Sequence, residues 1–228
     1  YETGLFGKWH LGDNYSFLPE QRGFKETFYH KGGGVGQTPD YWNNNYQDDI
    51  YFRNGEPEES KGYCTDVFFD EAISFINKNK ENPFLCFLSL NAPHSPFNVP
   101  KEYYELYENE SDLLESQKRF YGMITNIDDN FGRLHQNVKS LGILDNTIII
   151  FTTDNGTSNG YKYSKKDKKW LGFNAGMRGT KTSEYDGGHR VPFIIKWKKG
   201  GLFGGHNYSG LSCLLYTSDA ADDIPRGG

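Results

Sequence analysis

The sequence predicts an α/β fold with a mainly parallel central sheet flanked by helices. Two short apolar runs, at residues 84–90 and 147–153, have the composition of strands buried on both faces. A segment with apolar residues at three- and four-residue steps, the signature of an amphipathic helix, precedes each run. Such alternation is what a chain needs to cover both faces of a parallel sheet. Ligands in sheets of this kind bind beyond the carboxyl ends of strands, and a polar motif follows each apolar run directly.

Residues 3–12, Thr-Gly-Leu-Phe-Gly-Lys-Trp-His-Leu-Gly, are too rich in glycine for a helix and read as extended backbone. Side chains two apart then share a face, so Lys8 and His10 address one site together. Residues 13–62 are rich in Gly, Asn, Asp, Tyr and Pro with little periodicity, and are expected to form a long irregular loop. Thr65 is placed to cap a helix that runs to about residue 79. Asp66, Asp70 and Glu71 lie early and Lys78 and Lys80 at its end, an order that suits the helix dipole. Val67, Phe68, Ala72, Phe75 and Ile76 form its apolar stripe, and Pro83 ends it. The strand at 84–90 follows. A long helix is expected over 112–141, built on Phe120, Met123, Ile127, Phe131, Leu134 and Val138 and stopped by Gly142. Strands at 147–153 and 191–196 complete the pattern.

With 228 residues the chain is long enough for one domain with a sizeable core. Its net charge of −5 and lack of a long basic run give no electrostatic case for nucleic acid as a partner. No run of about eighteen apolar residues is present, so no membrane span is expected. The first residues lack the charged leader and apolar stretch of a signal peptide. Cys64, Cys86 and Cys213 are far apart and without CxxC spacing, which suggests neither a zinc site nor a disulfide frame. Cys86, in an apolar run, reads as a small core residue.

Three further motifs carry chemistry. Asp154-Asn155-Gly156 sets a carboxylate beside an amide carbonyl, hard oxygen donors suited to calcium or magnesium, although the same tripeptide also serves as an Asx turn closing a strand. His94 lies in Asn91-Ala-Pro-His-Ser-Pro96, where two prolines stiffen the loop and set where the ring points. Lys181 ends Arg178-Gly-Thr-Lys and precedes Tyr185-Asp-Gly-Gly-His-Arg-Val-Pro192; by itself it fits a solvated basic loop as well as an anion site.

The four motifs, in this order from Tyr1 to about Trp197, resemble those of the type I sulfatases, the arylsulfatase branch of the alkaline-phosphatase-like superfamily. The resemblance implies hydrolysis of a sulfate ester of a carbohydrate or other alcohol. It implies that Lys8, His10, His94 and Lys181 bind the sulfate and serve catalysis, with His94 protonating the leaving oxygen at a pKa near neutrality. It also implies that Asp154 and Asn155 hold a calcium ion, magnesium fitting less well. The family nucleophile is a formylglycine made from the Cys or Ser of a Cys-x-Pro-Ser-Arg motif. The surroundings of Cys64, Cys86 and Cys213 do not match it, so it is expected upstream of Tyr1, as is the Asp-Asp pair that completes the metal site. One departure is Asp186-Gly-Gly, where many relatives have Glu.

Residues 1–212 are therefore expected to be a partial catalytic domain, inactive as it stands. Residues 213–228 resemble the translated sequence of a sequencing adapter and are set aside as a non-native tail. The family implies a periplasmic or secreted full-length protein, a sulfated small molecule or glycan as partner, and a formylglycine-generating or other sulfatase-maturating enzyme. The same residues also allow a phosphonate or phosphodiester hydrolase of the superfamily, or a catalytically dead relative that binds sulfated glycans.

Overall fold

The structure, a computed structural model, describes residues 1–202. The tail expected at residues 213–228, with Cys213, lies outside the described residues. The chain divides into two compact units, one of residues 1–111 and 118–142, the other of residues 112–117 and 143 onward.

The first unit is built on a five-stranded sheet. Its strands are β1 (Glu2–Trp9), β2 (Glu26–Lys31), β3 (Ile50–Arg53), β4 (Glu56–Glu59) and, after helix α1 (Cys64–Asn79), β5 (Phe84–Ser89), in the order β4-β3-β2-β1-β5. Strands β2 and β5 run parallel to β1, whereas β3 and β4 pair antiparallel. The α/β reading holds, and the sheet is mixed: a short turn joins β3 to β4, and the irregular segment 32–49, with no helix in it, joins β2 to β3. The expected loop at 13–62 is corrected on the same ground: it contains β2, β3 and β4.

Helix α1 covers one face of this sheet. Phe6 of β1 meets Phe75, and Phe28 of β2 meets Phe68, with ring centroids 5.5 and 6.2 Å apart. Each such burial contributes roughly 1.5–3 kcal/mol. Leu5, Trp9, Tyr29 and Phe52 form a second cluster, which alternation assigns to the opposite face. The helix starts one residue before Thr65, which is buried in its first turn; Tyr63 precedes it without a side-chain cap, so Thr65 is not the cap. Strand β5 is not buried on both faces: Leu85 and Phe87 are about half exposed, at 50% and 48%, because β5 ends the strand order. The short helix α2 (Lys101–Glu105) leads to α3 (Glu115–Ser140), which packs along α1 through Asn126 and Asn130 on Asp66 and Arg133 on Asp70. Gly142, at φ +73°, ends that segment as expected.

In the second unit β6 (Ile149–Thr152) pairs antiparallel with β9 (Phe193–Lys196). Ile150 is 52% exposed, so this run is a strand but not one buried on both faces. Between them lie a hairpin of β7 (Tyr161–Ser164) and β8 (Lys169–Gly172) and one helical turn, α4 (Asp186–His189). The hairpin is fastened by Tyr161 stacked on Trp170 at 4.8 Å and by Gln117, whose amide donates to the Leu171 carbonyl.

Candidate active site

The first motif sits where the sheet is tightest. Gly7 has φ +114°, and a Cβ there would lie 2.0 Å from the Ser89 carbonyl oxygen, so only glycine lets β1 and β5 approach this closely. The Ser89 hydroxyl donates to the Lys8 carbonyl at 2.7 Å and ties the two strand ends together. Alternation along β1 puts Lys8 on the same face as Phe6, and the parallel register pairs it with His30 of β2.

His10 follows the end of β1, its ring over Gly33: a Cβ on that glycine would lie 2.9 Å from His10 Cε1. This glycine therefore makes room for the imidazole. His94 is held from three sides in the loop after β5. Its Nδ1 donates to the Ser95 carbonyl at 2.7 Å, its own carbonyl accepts from the Tyr46 hydroxyl at 3.0 Å, and Gln37 donates to the Ser95 carbonyl. Asn91 ties the same loop to the glycine run by accepting from the Val35 amide. The segment that presents Tyr46 is wired by two carboxylates. Asp40 accepts from the Lys31 and Gly36 amides and the Asn44 side chain; Asp49 accepts from the Asn45 and Tyr46 amides and the Tyr51 hydroxyl. Burial pushes both carboxyls above the usual range despite these donors. Tyr46 and Tyr51 are buried, and Trp42 projects at 90% exposure.

No motif or spacing marks His30 in the sequence. It is fully buried, its Nδ1 lies 3.0 Å from the Lys31 carbonyl, and its Nε2 has no hydrogen-bond partner. Burial, with smaller contributions from Lys8, His94 and His10, pulls its pKa down to about 3, against a hydrogen bond to Lys31 that acts the other way. The register of Lys8 with His30, the His10 ring over Gly33, and the bonds from Val35 and Gln37 to the loop that carries His94 gather Lys8, His10 and His94 at the carboxyl ends of β1, β2 and β5. Between about pH 6.5 and 3 the unfolded chain binds a proton that the folded one refuses, so stability falls with pH by up to about 1.4 kcal/mol per unit and is unaffected by this group above that window. Chemical unfolding at pH 7 and pH 5 should show the full-length protein losing about 2 kcal/mol more than its His30→Gln variant. Equal losses would remove the assignment.

The second unit holds Asp154, Asn155 and Lys181. Asp154 and Asn155 leave β6 in a turn: the Asn155 amide donates to Asp154 Oδ1 at 2.9 Å, and Asn155 Nδ2 donates to the Gly156 carbonyl. Asn155 Oδ1 is the amide's acceptor end. Lys181 is fixed to the same turn through its backbone, which donates to the Thr157 carbonyl at 2.9 Å. Gly156 donates to Gly188, and Gly187 to Arg178. Buried Asn174, another residue without a sequence signature, donates to the Gly179 carbonyl at 2.6 Å and braces the approach to Lys181. Gly187 and Gly188 shape this loop, and Arg190 pairs with Asp186 at 3.5 Å. Each set of three candidate residues is thus brought together within its own unit.

The oxygen pair fits a hard cation in kind. It falls short in number, since calcium takes about six to eight oxygen ligands, and among the described residues no group of three or more His, Cys, Asp or Glu could hold a metal ion. Cys64 and Cys86 are both free, and burial raises both thiols, Cys86 to about 12, which leaves neither a ready nucleophile. No helix among the described residues is long and apolar enough to cross a membrane.

A lysine and two histidines at the carboxyl ends of parallel strands, over a mixed sheet flanked by helices, place the chain among the alkaline-phosphatase-like α/β proteins. Likeness to solved structures agrees: Ps i-CgsB in complex with k-i-k-neocarrahexaose matches with a TM-score of 0.71 and 30% identity, over 87% of this chain and 45% of that one. The family profile named Sulfatase matches residues 1–203, and the chain belongs to the sulfatase family. Among curated proteins it is 29% identical to the uncharacterized sulfatase YdeN of Escherichia coli (strain K12), over 99% of this chain and 42% of that protein. It is 28% identical to the N-acetylgalactosamine-6-sulfatase of Homo sapiens, over 86% of this chain and 37% of that protein. The chain spans about two fifths of the length of these curated relatives.

Proposed function

We propose that the full-length protein hydrolyses a sulfate ester of a carbohydrate, in the periplasm or outside the cell. The observation that carries this reading is the grouping of Lys8, His10 and His94 around neutral His30 at the strand ends. Family membership supports sulfate chemistry, and the relatives support a sugar: one is named N-acetylgalactosamine-6-sulfatase, and Ps i-CgsB was solved in complex with k-i-k-neocarrahexaose.

In this reading Lys8 and Lys181 offset charge on the non-bridging sulfate oxygens, His10 orients one of them, and His94 gives its proton to the departing alcohol oxygen. Backbone contacts hold His94 Nδ1, so Nε2 is the nitrogen for that transfer. Asp154 and Asn155 would supply two of the oxygen ligands of a calcium ion, which adds fixed positive charge at the ester. The nucleophile is a formylglycine outside these residues, installed by a maturating enzyme.

The test is the full-length protein, matured, on paired 4-nitrophenyl sulfate and 4-nitrophenyl phosphate, followed by sulfated oligosaccharides. Turnover of the sulfate far above the phosphate supports the reading; the reverse preference points to a phosphoryl hydrolase, and binding without turnover to a sulfated-glycan-binding protein. Lys181→Ala should lower kcat on the sulfate ester by about 10²-fold with an unchanged melting temperature. The bond from Lys181 to Thr157 is made by the backbone and survives that change. Near-normal turnover in that variant would withdraw its role.

A further inference from the structure

We infer that His30 is a positioning residue for Lys8: its Nε2 accepts a hydrogen bond that reaches it from the Lys8 ammonium through one water, and fixes that cation where an oxyanion binds. The inference rests on the proposed sulfate chemistry for its kinetic consequence only.

Three observations lead there. The carbonyl of Lys31 can only accept, so the contact at 3.0 Å puts the proton of the neutral ring on Nδ1 and leaves Nε2 as an acceptor. That acceptor is buried without a partner, which costs about 1–3 kcal/mol unless a donor reaches it. Lys8, the register partner of His30 on β1, is a donor with no acceptor capacity, on the same face of the sheet. The charges facing His30 are Lys8 and His10 from β1 and its end and His94 from the loop after β5; from α1 it meets the Phe68 ring, with centroids 6.1 Å apart. All three would oppose a proton on the ring, so it stays an acceptor.

The chemistry of an anion site explains the choice of residue. A lysine meant to meet sulfate needs an orienting acceptor, and a carboxylate would orient it while cancelling its charge and repelling the ligand. A neutral imidazole orients without doing either.

Two amides separate this role from packing. In His30→Gln the side-chain amide reaches the place of Nε2 and can offer an acceptor there; in His30→Asn it reaches only the place of Nδ1 and can keep the bond to Lys31. In the full-length protein kcat/KM on 4-nitrophenyl sulfate should fall by about 10²-fold in His30→Asn and by less than about 5-fold in His30→Gln. Because the effect runs through Lys8, adding His30→Asn to Lys8→Ala should cost nothing further. Equal losses in the two amides, or losses that multiply with Lys8→Ala, overturn the inference. Should the wild type not turn over aryl sulfate, the functional reading fails and His30 is judged separately. Nitrogen-15 spectra of the histidine rings should show its Nε2 unprotonated between about pH 5 and 9 and shifted by Lys8→Ala. A protonated Nε2, or one indifferent to Lys8, overturns the pairing without reference to substrate.

Discussion

Lys8→Ala in the full-length protein should lower kcat/KM on a sulfate ester by about 10³-fold, close to 4 kcal/mol of transition-state stabilisation, while its melting temperature stays within a few degrees of wild type. The magnitude comes from where the cation stands. Lys8 is half-buried at the end of a strand whose next residues inward, Leu5 to Gly7, are buried, and charge offset in such partly dry surroundings is worth several times its value in water. The pairing of β1 with β5 does not run through the ammonium. The strand's ties to β5 run through the Ser89 hydroxyl and the Lys8 carbonyl, which alanine keeps. Lys8→Arg should recover little, since a planar fork cannot replace a point charge set beside one acceptor. Steady-state kinetics with 4-nitrophenyl sulfate and a thermal melt decide it. A loss below about 10-fold would take Lys8 out of the site.

The α/β class and the first motif were legible because they rest on local signals. Glycine at residues 4, 7 and 12 marks extended, closely approached backbone, and the 3.6 period of α1 and α3 comes from side chains that do pack. The strands within residues 13–62 were not legible, for three different reasons. β4 is Glu-Pro-Glu-Glu, exposed throughout, so it has no apolar alternation. β3 is four residues long. β2 buries Thr27 and His30 beside Phe28 and Tyr29, and a polar residue in the core spoils the pattern that burial would otherwise write. His30 shows the general difficulty. Its importance lies in a register with Lys8 across 21 residues of intervening chain, which no spacing rule reads from either end. Exposure of β5 and β6 was misjudged because an apolar run states what a strand tolerates, not what covers it.

Gly156→Ala should destabilise the second unit by about 3 kcal/mol or more and leave no measurable turnover in the full-length protein. The backbone at this position is ordinary, so the cause is space rather than conformation. A Cβ would sit 1.9 Å from the Gly187 carbonyl oxygen and within 3.0 Å of the Gly188 carbonyl carbon. Neither neighbour can retreat. Gly187 is pressed against the Gly179 carbonyl and bonded to Arg178, and Gly188 is pressed against the Ser183 carbonyl. The methyl therefore drives the turn away from this loop and breaks the bond from Gly156 to Gly188. The same displacement loosens the bond from Lys181 to Thr157, so Asp154, Asn155 and Lys181 lose their common frame in one step. Lys181→Ala makes the informative contrast. It removes one charge from an intact loop and should cost turnover without stability, whereas Gly156→Ala removes no functional group and should cost both. Thermal melts of the two variants beside 4-nitrophenyl sulfate kinetics test the pair. A Gly156→Ala protein that melts like wild type would show that the two loops are not locked together as described.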